Sequence, residues 1–240
     1  MQEESMRQAR LASIGELSAG VAHEINNPLN CIIGYAQILA DRAAKESEES
    51  DLAGRIMKDS MRIETIVKSL LSFAREKKRE KMSCRYSGHT FRNLMSDAGS
   101  SEKDRISVNT DIPGNPLNIK ANAQQIQQVF LNLISNARYA LNMKYPESDP
   151  DKVLEIKSEK VKKDGMGIIR IMFWDRGTGI AADISDRVCE PFFTTKPPNK
   201  GTGLGLSISH GIILDHQGKL WFESVQGEYT KAFVELPEGK

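Results

Sequence analysis

Val21-Ala22-His23-Glu24-Ile25-Asn26-Asn27-Pro28-Leu29-Asn30 places a histidine where packing has no use for one. From Leu11, steps of three and four residues reach Ile14, Ser18, Val21, Ile25, Pro28, Ile32, Tyr35 and Leu39, a mostly apolar seam of coiled-coil type. His23 lies two residues past a seam position, so it is rotated roughly 200° from the seam and is expected to face water. Glu24 is its neighbour, and Asn27 stands one turn on along the same face. Pro28 removes a backbone donor and crowds the carbonyl of Glu24, a break that costs ~3 kcal/mol inside a helix. A helix that carries such a break beside an exposed imidazole points to chemistry rather than packing.

The seam continues to about Ala44 and predicts a helix of roughly 60 Å, too long to bury its stripe alone. Lys45 to Ser50 is polar and interrupts the pattern. Leu52, Ile56, Ile63, Ile66, Val67, Leu70, Leu71 and Phe73 then mark a second helix to about Lys78. An antiparallel hairpin is expected, and two-fold association into a four-helix bundle is the economical way to enclose both stripes. Arg75 to Lys81 is a charge run, read as a solvated helix end rather than a phosphate-binding patch. Residues 1–80 thus form the first domain, 81–88 a linker and 89–240 the second domain.

In the second domain, helical signals (Phe91 to Ala98, Asn122 to Leu141, Leu206 to Asp215) mix with strand signals (Ile106 to Ile112, Leu117 to Ile119, Val153 to Lys160, Ile168 to Trp174, Leu220 to Ser224, Ala232 to Leu236). Lys163-Asp164-Gly165 reads as a hairpin turn. The order predicts a sheet with helices on one face, an α+β two-layer sandwich.

Composition narrows the partners. Lys+Arg 33 against Asp+Glu 32 leaves +1, so no excess of charge favours nucleic acid or an anionic membrane. Hydrophobic content of 39% in 240 residues suffices for cores. Three dispersed cysteines, Cys31, Cys84 and Cys189, fit neither a disulfide framework nor a structural zinc site, and point to a reducing cytoplasm. The sequence holds neither an 18-residue apolar run nor a signal-peptide pattern, so any membrane attachment is expected only through a sensor segment upstream of the first helix.

Three further stretches carry chemistry. Asn132 and Asn136 stack two amides four residues apart in the helix from Asn122. Asp175-Arg176-Gly177-Thr178-Gly179 sets a carboxylate at a strand end beside glycines that permit close backbone approach. Lys200-Gly201-Thr202-Gly203-Leu204-Gly205-Leu206-Ser207 opens a helix with a glycine-rich entry suited to phosphate, and it lacks the Gly-Lys-Ser/Thr ending of a Walker loop. Each alone has a bland reading as a polar face, a turn or a cap.

Together and in this order they resemble sensor histidine kinases. The run from His23 to Leu29 resembles the phosphoacceptor box, Asn132 to Ala137 the N box, Asp175 to Gly179 the G1 box, Glu190 to Lys196 the F box at the base of an ATP lid, and Lys200 to Ser207 the G2 box. The resemblance implies a dimeric helical hairpin followed by the ATPase fold shared with gyrase, Hsp90 and MutL. It also implies ATP as the phosphoryl donor, Mg²⁺ held by Asn136, and adenine read by Asp175. ATP contacts are expected from Asn132, Asn136, Arg138, Tyr139, Asp175, Gly177, Gly179, Phe192, Thr195, Lys196, Gly201, Thr202, Gly203, Leu204 and Gly205. His23 would be the phosphorylated nucleophile, Glu24 its proton partner, and Asn27 the residue that orients water for dephosphorylation. A receiver domain of a response regulator is the expected acceptor, and phosphatase activity toward it follows from the Glu24/Asn27 spacing.

Where many relatives carry Lys or Arg three residues after the magnesium asparagine, this chain has Tyr139, with Arg138 one residue early. Lys196 and Arg138 are therefore both candidates for the cation on the γ-phosphate. The lid between Pro197 and Lys200 is short. Two competing classes are an ATPase that hydrolyses ATP to move domains, which would leave His23 unexplained, and a non-catalytic scaffold, which would leave Asn136, Asp175 and Gly203 unexplained.

Overall fold

The computed structural model describes residues 25, 27–44, 47–75, 82–86, 90–91, 93–94, 104–112, 117–163, 165–197 and 201–239. His23 and Glu24 lie outside the described residues. The chain divides into two compact units, Met1–Arg79 and Glu80–Lys240.

In the first unit, α1 covers residues 27–42 and α2 is Glu48–Arg75. The α2 helix begins inside the polar break, where the Ser47 side-chain oxygen accepts the backbone N–H of Ser50 at 3.2 Å, an N-cap three residues ahead of its donor. Leu29, Ala36, Ala53 and Ser60 are buried, each pair spaced by seven residues. The expected seam lies to one side of this stripe. Ile25 (37%), Ile32 (45%), Tyr35 (68%) and Leu39 (56%) stay exposed, as do Leu52, Ile56 and Ile63 of α2. Small residues dominate the buried stripe, while the larger apolar side chains form a second, uncovered row.

The second unit is built on a five-stranded sheet of order β2-β4-β5-β7-β6. Its strands are β2 Ser107–Asp111, β4 Val153–Lys163, β5 Met166–Asp175, β6 Lys219–Val225 and β7 Tyr229–Pro237. The β2/β4 pair is parallel and the remaining pairs are antiparallel. Two helices, α3 Ala123–Lys144 and α4 Gly205–Asp215, supply the second layer. Ile126, Val129, Phe130, Leu133, Ile134, Ala137 and Leu141 of α3 are buried, as are Ile156, Ile169, Ile171, Phe173, Val234 and Leu236 of the sheet. The alternation in β5 and the helical spacing in α3 thus address one core. Asn122 caps α3 by accepting the N–H groups of Gln124 and Gln125. The N–H of Asn122 in turn donates to Nε2 of the buried His216, whose Nδ1 lies 2.8 Å from the Ile212 carbonyl, so a neutral imidazole ties the end of α4 to the start of α3.

The segment expected as a linker, 81–88, instead carries strand β1, Met82–Tyr86, paired antiparallel with β3, Leu117–Ala121. Tyr86 is 5% exposed and its ring lies 5.3 Å from that of Phe130, in a cluster completed by Phe91 and Phe173. Burial of Tyr86 makes the strand part of the second core. The flanking charges had masked the two-residue alternation of Cys84 and Tyr86. Of the helix expected from Phe91 to Ala98, residues 90–91 and 93–94 are helical and the remainder lies outside the described residues.

Candidate nucleotide-binding site

The site gathers on α3, the end of β5, and the loop that leads into α4. Asn132 and Asn136 share a helix face, as their spacing requires, and take different partners. The Asn132 amide nitrogen donates to the Gly205 carbonyl and to Ser209 Oγ, both at 3.1 Å. Its donor is therefore spent in bracing the first turn of α4 against α3. Asn136 instead accepts, through Oδ1, a hydrogen bond from Lys196 Nζ at 2.7 Å.

Lys196 Nζ also lies 4.6 Å from the centre of the Tyr139 ring, within cation–π range. Burial lowers the pKa of this ammonium. The other candidate cation, Arg138, turns to an ion pair with Asp104, which also accepts from Asn142. Ser135, Arg138, Tyr139, Asn142, Met143 and Lys196 line a pocket of about 330 Å³ along this side of α3.

Asp175 closes β5 with a carboxylate that is 4% exposed. Its Oδ1 accepts the N–H of Gly177 at 2.9 Å. Burial pushes its pKa up to about 7, while the Gly177 hydrogen bond and the nearby Lys144 ammonium hold it down. A Cβ at Gly177 would come within 2.6 Å of both the Ala140 Cβ and Asp175 Oδ1, so only glycine lets the strand end approach α3 this closely. Arg176, the residue that sets this box apart from the common asparagine, points to Asp151 and over the Trp174 ring. Its carbonyl accepts from Lys144.

Gly179 is held at φ 65, and its neighbours are pinned to the β6–β7 turn: Ile180 N–H donates to Ser224 Oγ and Gly227 N–H to the Thr178 carbonyl. Phe192 and Gly203 meet across the lid base, with Phe192 N–H donating to the Gly203 carbonyl at 3.0 Å. Both have positive φ, and Phe192 is 68% exposed. A non-glycine residue in that conformation stores strain of the kind found at ligand clamps. Thr194 Oγ1 accepts the Lys196 N–H, and Thr202 Oγ1 the N–H of Leu204, which is buried at the start of α4. Thr195 is exposed.

The residue set fits a magnesium ion bridged to a nucleotide. Asn136 offers a hard amide oxygen that already receives a cation, and among the described residues no group of three or more His, Cys, Asp or Glu could hold a metal by itself. Mg²⁺ commonly takes one or two protein oxygens and completes its shell with phosphate and water. One side of the cleft therefore accepts cations and the other ends in a buried acceptor.

A mixed sheet under two helices, with an amide on one helix, a buried aspartate at a strand end and a glycine-rich helix entry, defines an ATPase of the histidine kinase, gyrase and Hsp90 class. Residues 121–240 match the family of histidine kinase-, DNA gyrase B- and HSP90-like ATPases, and residues 13–79 match the His Kinase A (phospho-acceptor) domain. The chain is 33% identical over 241 residues to the sensor histidine kinase ZraS of Escherichia coli K12, covering 99% of this chain and 48% of that protein. It is 33% identical to sporulation kinase E of Bacillus subtilis, covering 98% of this chain and 30% of the relative. The solved histidine kinase ThkA in complex with the response regulator protein TrrA superposes with a TM-score of 0.63 at 27% identity, covering 99% of this chain and 66% of that one. Full-length ShkA in complex with AMPPNP shares the fold, with a TM-score of 0.72 at 21% identity over 94% of this chain and 46% of that one. The chain belongs to the sensor histidine kinase family. It spans about half the length of ZraS.

Among the described residues, no helix is long and apolar enough to cross a membrane.

Proposed function

We propose that the chain phosphorylates itself on His23 from ATP and passes the phosphoryl group to an aspartate in the receiver domain of a response regulator. The observation that carries the reading is the Asn136 oxygen holding a cation on α3 while Asp175 presents a buried acceptor at the end of β5, in a chain whose residues 13–79 match a phosphoacceptor domain. Asp175 would accept the adenine amino group, with Gly177 and Gly179 keeping the floor of the cleft low. Gly201 to Gly205 would offer backbone N–H groups to the phosphates. Lys196 is the better cation for the γ-phosphate, because Arg138 is engaged by Asp104. Phe192, Thr195 and Thr202 flank the lid. Magnesium held by Asn136 would neutralise phosphate charge; the rest of the catalysis is positioning.

His23 would attack through one neutral ring nitrogen, with Glu24 accepting the proton-bearing side and raising its nucleophilicity, an effect on the order of 10²- to 10⁴-fold. The exposed row Ile25, Ile32, Tyr35 and Leu39, with Leu52, Ile56 and Ile63, supports homodimerisation of the hairpin, since a contiguous apolar row of this length is rarely left to solvent. The ThkA–TrrA likeness favours a receiver domain as the phosphoryl acceptor. A second activity, hydrolysis of the receiver's aspartyl phosphate, is supported by Asn27, which is exposed. A carboxamide there can both accept from and donate to a water.

The test is incubation of the full chain with γ-labelled ATP. An acid-labile, base-stable label that is lost in His23→Ala, with nucleotide affinity retained, is the expected result. Equal labelling of that variant would remove the proposal.

A further inference from the structure

The lid loop delivers a lysine to the helix position from which many relatives project a cation. Lys196 Nζ sits 2.7 Å from Asn136 Oδ1 and 4.6 Å from the ring of Tyr139, the residue that stands in the place of that cation. The lysine stem is clamped from the far side of the loop: a Cβ at Gly201 would meet Cβ and Cδ of Lys196 at 3.1 Å and Thr194 Oγ1 at 2.7 Å. Thr194 and Gly201 therefore both lie close to the Lys196 segment. An amide oxygen directed at an ammonium and an aromatic face beneath it make a small cation seat, of which only the oxygen is useful to a divalent ion.

We propose that Tyr139 is a positioning residue that seats the Lys196 ammonium on the Asn136 oxygen as a placeholder cation, latching the loop 193–197 to α3 until a metal–nucleotide complex displaces it. The proposal rests on the nucleotide-binding reading above. Two cations cannot both bond closely to one amide oxygen in a half-buried site, because their repulsion is only partly screened there. Entry of a divalent ion at Asn136 would therefore expel Lys196, whose flexible stem can carry the charge toward the phosphates. Arg138 cannot take the seat while Asp104 holds it. The exchange makes the latched state a tax on nucleotide affinity, since only the unlatched fraction binds.

Amide hydrogen exchange of the full chain without nucleotide tests the latch directly. Tyr139→Leu should speed exchange across residues 193–196 while β5 and β7 keep their wild-type protection, and Tyr139→Phe, which retains the ring, should behave as wild type. Lys196→Met should reproduce the fast lid exchange without touching α3, and decides the matter if the leucine variant loosens the core. In calorimetry with Mg²⁺–ADP, Tyr139→Leu should bind roughly two- to tenfold more tightly, the range of a partly desolvated cation–π contact removed from the latched state. Lid exchange unchanged in both variants, or weaker Mg²⁺–ADP binding by Tyr139→Leu, overturns the proposal. Failure of the wild type to bind Mg²⁺–ADP would instead remove the nucleotide reading, and the ligand-free exchange result would still judge the latch.

Discussion

Asp175→Asn should stabilise the second unit at neutral and alkaline pH and leave its stability unchanged near pH 4. The carboxyl is 4% exposed and its pKa is raised to about 7 by burial, against about 3.9 in an unfolded chain. Below about pH 4 the group is protonated in both states, and the stability attached to its neutral form is fully present. Between about 4 and 7 the unfolded chain releases the proton and the folded one keeps it, so stability falls as pH rises, and above about 7 the loss is complete. A gap of about three pKa units corresponds to roughly 4 kcal/mol, the ceiling on the gain at neutral and alkaline pH. Both tryptophans of the chain, Trp174 and Trp221, lie in this unit, and Trp174 adjoins the substituted residue, so urea unfolding followed by tryptophan emission reads the unit by itself. The stabilities of the two proteins should coincide near pH 4 and diverge through pH 7. A constant offset at every pH would refute the reasoning, because it would mean that the carboxylate is hydrated and ionises as usual. The same variant should weaken adenine-nucleotide binding by roughly 10- to 100-fold, since the new amide can turn a donor toward the adenine amino group.

Asn136→Ala should weaken Mg²⁺–ATP binding and His23 labelling together, and calorimetry showing unchanged affinity with Mg²⁺ present would place the metal ligand elsewhere. Ile63→Asp, at a side chain 46% exposed in the row left uncovered by the hairpin, should dissociate the proposed dimer by burying an unpaired charge, and sedimentation at micromolar concentration decides it. Asn27→Ala should slow loss of label from a purified phospho-receiver while His23 autophosphorylation stays nearly intact; an unaltered rate would make Asn27 a structural residue.

The parts of the fold legible in the sequence were those whose signal is local and repeats. Ile126 to Leu141 recurs at helical spacing along α3, and Ile169, Ile171 and Phe173 alternate along β5, so one layer could be set against the other before any contact was known. Strand β1 is hard to read locally because it is five residues long beside a charged stretch, and the partners of Cys84 and Tyr86 are Ile119 and Leu117 in the distant β3. The seam of α1 is legible as a stripe that one helical hairpin does not enclose. The small residues Ala36 and Ala53 are buried while Ile32, Tyr35 and Leu39 remain exposed.

The site divides along the same line between what a motif carries and what a fold assigns. Spacing put Asn132 and Asn136 on one face of α3, yet nothing local distinguishes an amide that donates to Gly205 and Ser209 from one that receives an ammonium. The choice is made by α4 and the lid, which approach the same face at different heights. Arg138 and Tyr139 follow the same logic. By charge alone, Arg138 was as good a phosphate ligand as Lys196, but it lies 100° around the helix from Tyr139 and toward Asp104, a carboxylate more than thirty residues away in sequence. Once Asp104 engages the guanidinium, the free cation has to come from the lid, and an aromatic at position 139 becomes useful where a second cation would repel it. In the proposed function, a tyrosine at position 139 then leaves the phosphate cation to Lys196, which stands outside α3.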